Sequence, residues 1–142
     1  MNAIVFAALL TVQIAKPQLS IVSSSQIESV CNGKSELACT MYRETALTCD
    51  CIEHSGKWSV QAHTRTVPYM YMISPRFIEH EALHMADIQR SLQHYVDELA
   101  AAEFQSADDC SARANEAMRQ FPSKMREFQL DTTLRRDGRI RR

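Results

Sequence analysis

The sequence predicts an α+β fold, a small antiparallel sheet followed by two helices, and three patterns carry that prediction. Trp58 to Val67 alternates apolar and polar residues, and Tyr69 to Ile73 alternates again after Pro68, the period of half-buried strands. Ser74-Pro75 then opens a run without glycine or proline to about Phe104. Within it Phe77, Ile78, Met85, Ile88, Leu92, Tyr95, Val96 and Leu99 recur at helical spacing. Beyond Ser106, Cys110, Ala114, Ala117, Phe121, Met125 and Phe128 repeat every three or four residues and mark a second, backing helix.

Taken in order, the chain begins with an apolar run from Ala3 to Ala15, too short to span a bilayer and suited to the core of a secretory leader. The expected leader is residues 1–25, with Ser23-Ser24-Ser25 as a candidate cleavage region. An N-terminal strand or buried helix is the alternative. Gln18 to Val30 mixes Ser, Ile and Val and suits a strand or a short helix, and Cys31 to Ser35 forms a turn. Thr40 to Cys51 suits a strand that leads into a turn at His54-Ser55-Gly56. The Ser74 hydroxyl caps the first helix, and Pro75 occupies the first helical position, where a missing N–H costs nothing. Ser106 to Asp109 supplies a turn and cap for the second helix, which Pro122 should kink or divide. Residues 26–134 make a single domain and 135–142 a basic tail, in which five arginines surround Asp137; the tail suits solvent, an anionic surface or the domain itself.

A chain of 142 residues allows one domain, and a net charge of −1 gives no reason to expect a polyanionic partner. Glycine is too sparse for a phosphate-cradling loop, and no nucleic-acid-binding motif is present. Five cysteines are dense for a reduced compartment and favour disulfides in an exported, secreted or periplasmic protein. Their spacings miss the paired C-x-x-C of zinc knuckles. Cys49 and Cys51 point to one side of a strand and should each pair elsewhere, with Cys31, Cys39 or Cys110, leaving one thiol over.

The stretch with the most chemistry is His80-Glu81-Ala82-Leu83-His84, an H-E-x-x-H motif inside the first helix. Histidines four residues apart share a helix face, so His80 and His84 can converge on one divalent ion with Glu81 beside it as general base. Metal-assisted hydrolysis needs such a set plus a third ligand. Asp87 lies on the same face and is the candidate, either binding the metal or hydrogen-bonding a ligand histidine; Glu98, Glu103, Glu116 and Asp131 are more distant alternatives. Tyr69, Tyr71, His94 and Arg65 are candidate donors to a developing oxyanion.

These residues resemble the zincin metallopeptidases, whose minimal members combine a small sheet, an active-site helix and a backing helix. A narrower resemblance is to small exported bacterial proteins held to be zinc peptidases of unknown substrate. In these, H-E-x-x-H is followed by Asp and Ile, here Asp87-Ile88, and a late segment resembles Gln129-Leu130-Asp131-Thr132-Thr133. The tyrosine and the His-Gly of that segment are absent, with Asp137-Gly138 nearby instead. Asn115-Glu116 is similar to the Asn-Glu pair of gluzincins, but Arg119-Gln120 stands where their Ser-Asp would follow. The expected function is thus a zinc-dependent peptidase acting on a peptide or protein substrate, with a zinc-activated water and Glu81 as base. The alternative is a disulfide-stabilised secreted binding or effector module with a non-catalytic metal site. No nucleic acid and no stable membrane span are expected.

Overall fold

A computed structural model of the chain describes residues 11–31 and 36–137. Most of the apolar run from Ala3, the turn after Cys31 and the end of the basic tail lie outside the described residues. Strands β1 (Val12–Ile14) and β2 (Gln18–Ile21) precede a short helix α1 (Ser24–Val30). A long hairpin follows, β3 (Ala38–His54) and β4 (Lys57–Met72), then α2 (Ile78–Ala101), β5 (Glu103–Phe104) and α3 (Ala107–Arg136). The α+β class agrees with the sequence. The antiparallel sheet does not: β1 and β2 both run parallel to β4, whereas β3 and β5 run antiparallel to it. Apolar alternation reports which side chains face the core, and that period of two is common to both strand directions, so it left the direction of β1 and β2 undetermined.

β4 is the organising strand, since all four others pair with it. β3 occupies one of its edges along almost the whole length, and β5, β1 and β2 share the other. Pro68 does not divide β4, for a reason visible in the ladder. Thr64 N–H bonds Thr11 O, and Thr66 O receives Ala15 N–H, so even-numbered residues here address the β1–β2 edge. Pro68 therefore turns its missing donor toward the break between β1 and β2, where no ladder bond is lost.

One face of the sheet carries the core. Val60 and Ala62 of β4 are buried there in one cluster with Ile88, Leu92, Val96 and Leu99 from α2 and Cys110, Ala114, Ala117, Phe121 and Met125 from α3, and Met70 and Met72 are buried further along β4. β3 keeps its inward residues on that face through a register shift between Arg43 and Ala46, where Glu44 takes a positive φ of 52°. Before it Thr40 and Tyr42 face inward, opposite Met70 and Pro68. After it Leu47, Cys49 and Cys51 do, opposite Thr64, Ala62 and Val60.

Disulfides join Cys31 to Cys39 and Cys51 to Cys110, and Cys49 is a free, half-buried thiol. Two disulfides point to an oxidising, extracellular environment. Among the described residues no helix is long and apolar enough to cross a membrane.

β1 and β2 lie within the stretch assigned to a leader, and Val12 is buried in the core. At the other end α3 continues unbroken through Pro122 to Arg136, so the first residues of the expected tail belong to a helix.

Candidate metal centre

α2 begins as the sequence predicts. Ser74 Oγ accepts from Arg76 N–H, Pro75 opens one turn of 3-10 helix, and the α-helix takes over at Ile78. His80 and His84 follow one turn apart, with rings edge to face at 4.8 Å and their Nε2 atoms 3.1 Å apart. Between them in sequence, Glu81 turns inward and completes a group whose ligand atoms lie within 4.8 Å of one another.

A further candidate donor atom comes from the end of α3. Asp137 caps α3, its own N–H bonded to Thr133 O at 2.8 Å. Its Oδ1 lies 2.8 Å from His80 Nε2 and 3.3 Å from His84 Nε2. Two imidazole nitrogens and a carboxylate oxygen thus enclose one point. Zinc holds such donors at about 2.0–2.2 Å in a tetrahedron, which places the donors about 3.3–3.6 Å from one another. The observed 2.8, 3.1 and 3.3 Å are hydrogen-bond lengths, at or a little below that range. The donor types suit a divalent cation, and the group is a candidate metal site.

Glu81 is 3% exposed. Its Oε1 accepts a hydrogen bond of 2.9 Å from Thr40 Oγ1, on the inward face of β3. Its Oε2 is 4.0 Å from His80 Nε2. Burial raises the Glu81 pKa, opposed by the Thr40 bond and the two histidines, so the carboxylate is a stronger base than an exposed one. Tyr42, one strand repeat after Thr40, buries its hydroxyl with no partner among the described residues. Burial together with the charges of Glu81 and Asp87 pushes its pKa up and keeps it a neutral donor.

Asp87 does not join the ligand group. Its carboxylate is taken up by Arg136 and Thr132 of α3 and by Arg90 of α2. Arg136 donates to it twice, Nε to Oδ2 at 2.8 Å and Nη2 to Oδ1 at 2.7 Å. Thr132 Oγ1 donates to Oδ2 at 2.7 Å, and Arg90 also donates to Oδ1. Chiefly through Arg136, its pKa is held well below the usual carboxylate range. The i+7 offset from His80 put Asp87 on the expected stripe, but helix α3 packs against that stripe and takes the carboxylate. Asp87 still reaches the site indirectly, because Thr132 Oγ1 is also 3.0 Å from His84 Nδ1.

The more distant candidates are elsewhere. Glu98 pairs with His94, Glu103 pairs with Lys57, Glu116 accepts from Gln120, and Asp131 is exposed on α3. Of the expected oxyanion donors, Arg65, Tyr69 and Tyr71 occupy β4 positions that alternate with the buried ones and so face away from the helices. Cys31, Glu36 and Cys39 also cluster, but the two sulfurs are bonded to each other and offer no thiolate.

The site opens into a cleft of about 480 Å³ between the start of β3, the first turns of α2 and the last turns of α3. Thr40, Met41, Glu81, His84, Gln129 and Asp137 are among its lining residues, and the Cys31–Cys39 disulfide stands at one end. Asp137, Tyr42 and Thr40 line the site without having been singled out in the sequence. Asp137 had one pointer, its place beside Gly138 where the resembling proteins carry His-Gly; Tyr42 had none. Comparison of the chain with known protein families, curated proteins and solved structures gave no match, so the geometry itself must carry the functional reading.

Proposed function

We propose that this chain is an exported zinc-dependent peptidase of the zincin kind, with His80, His84 and Asp137 as the metal ligands and Glu81 as the general base. The single observation that carries the reading is the convergence of three candidate ligand atoms within 2.8–3.3 Å beside a buried carboxylate, with His84, Glu81 and Asp137 lining an open cleft. Zinc in that position supplies Lewis-acid polarisation of a peptide carbonyl and of an attacking water.

The chain's own residues do the rest. Thr40 occupies Oε1 of Glu81, which leaves Oε2, the oxygen nearer His80, to take the proton of the attacking water and pass it to the leaving amine. Burial of Glu81 excludes bulk water from the proton's path and raises its affinity for that proton. A peptide suits the cleft because β3 pairs only with β4 among the described residues. Its other edge, at Thr40 and Met41, is free to hold an extended main chain by strand addition. Both disulfides support export.

The test uses the oxidised full chain. Wild type should carry about one zinc per chain and cleave an unfolded, casein-like protein. Glu81→Gln should keep the zinc and lose turnover by roughly a hundredfold or more. Zinc without any turnover in wild type would reduce the protein to a metal-bearing binding module, and no zinc at all would remove the reading.

A further inference from the structure

His84 is in contact through both ring nitrogens, and the proton on one of them can be placed by counting. Arg136 and Arg90 occupy Asp87 with guanidinium donors that have no acceptor, so Asp87 is an acceptor only. Thr132 Oγ1 therefore gives its single hydroxyl proton to Asp87 Oδ2, 2.7 Å away. Having donated it, the same oxygen can meet His84 Nδ1 at 3.0 Å only by accepting. The ring proton is then on Nδ1, and Nε2 keeps its lone pair. On the other side His80 Nε2 lies 2.8 Å from Asp137 Oδ1 and 3.1 Å from His84 Nε2, so a proton on His80 Nε2 can serve both acceptors in the metal-free protein and His84 Nε2 needs none of its own.

We propose that Asp87 and Thr132 form a positioning relay that fixes the tautomer of His84 and so presents its Nε2 to a divalent cation. The proposal rests on the metal reading above for its purpose, but not for its geometry. Arg136 belongs to the same device. It is anchored on Asp87 and adjoins Asp137, so the group that orients one ligand also holds the helix end that carries another. Helix α2 alone would leave His84 free to take either tautomer; contact with α3 removes that freedom.

The experiment is nitrogen-15 NMR of the imidazoles in the metal-free full chain, at a pH where free histidine is neutral, with His84→Gln used to assign the His84 signals. Zinc affinity is measured beside it by competition with a chromophoric chelator. Wild type should show Nδ1–H with a bare Nε2. Thr132→Ser should preserve both the tautomer and the affinity. Thr132→Val should mix the tautomers and weaken zinc binding by roughly 10–100-fold. A wild-type His84 protonated on Nε2 overturns the relay, and this measurement needs no variant to fold. So does a Thr132→Val protein with unchanged tautomer and affinity. The expected tautomer in a wild-type protein that binds no zinc would uphold the relay and overturn the proposed function instead.

Discussion

The two ends of the α2–α3 pair are built from opposite materials. Toward the end of α2, Leu92, Tyr95, Val96 and Leu99 pack against Cys110, Ala114, Ala117 and Phe121 of α3, and the Cys51–Cys110 disulfide pins α3 to the sheet. Toward its start the buried positions are Glu81, His84 and Asp87, and α3 answers with Thr132, Arg136 and Asp137. Burying polar groups costs free energy unless each finds a partner. Asp87 and His84 find theirs across the helix interface, and His80, His84 and Asp137 meet one another at 2.8–3.3 Å. The apolar end holds the helices on the sheet, and that packing keeps the polar groups of the other end within reach of one another.

The contrast breaks most visibly if His84→Ala or His80→Ala is compared with Leu92→Ala. Either histidine change should abolish zinc loading while the far-ultraviolet circular dichroism of the metal-free protein stays that of wild type. Leu92→Ala should do the reverse, costing about 2–5 kcal/mol in denaturant melts with zinc affinity of the folded protein unchanged. Zinc retained in both histidine variants would dissolve the distinction, since the polar end would then not be a metal site.

The next largest effect separates the two aspartates. Asp137→Ala removes an oxygen from the enclosed point and should weaken zinc at least a hundredfold, about 3 kcal/mol. Asp87→Asn disturbs the site only through Thr132 and Arg136 and should cost roughly 10–100-fold. Chelator competition on both variants decides the order. A larger loss from Asp87→Asn than from Asp137→Ala would return Asp87 to the metal.

What could be read in the sequence divides along the same line. The pairing of His80 with His84 is local, set by one helical turn, and so was legible; so were the apolar stripes of both helices. Asp137 lies 53 residues after His84, and only the docking of α3 on the sheet brings them together, a fact no local pattern encodes. The shift at Glu44 was equally invisible, although it decides that Thr40 and Cys51 share a face. The N-terminal apolar run is ambiguous in the sequence for a physical reason, since it suits both a leader's core and a strand's inward face; Val12 within it is buried in strand β1.

Disulfides give a smaller and more graded comparison. Cys51–Cys110 closes a separation of 59 residues at the apolar end, and Cys31–Cys39 one of 8 beside the cleft. Loop-closure entropy makes the longer bridge worth about 2 kcal/mol more. Replacing both cysteines of each pair by serine, and melting each protein, should reproduce that order. The reverse order would locate the stabilising end beside the cleft.

Acid unfolding is the finest of these tests. Asp87 has a folded pKa below its unfolded value, because Arg136 and Thr132 stabilise the charged form. The folded state therefore binds that proton less readily than the unfolded one. The stability Asp87 contributes is complete above the usual carboxylate value of about 4 and declines as pH falls through the depressed folded value. In metal-free protein the stability of wild type should therefore fall on acidification below about pH 4. Asp87→Asn should start lower and lose this part of the slope. Leu92→Ala changes no titrating group, so it should lower the whole curve without changing its shape. A wild-type-like acid slope in Asp87→Asn would mean that the Arg136 contact does not hold the end of α3, and the geometry of Asp137 would then need another support.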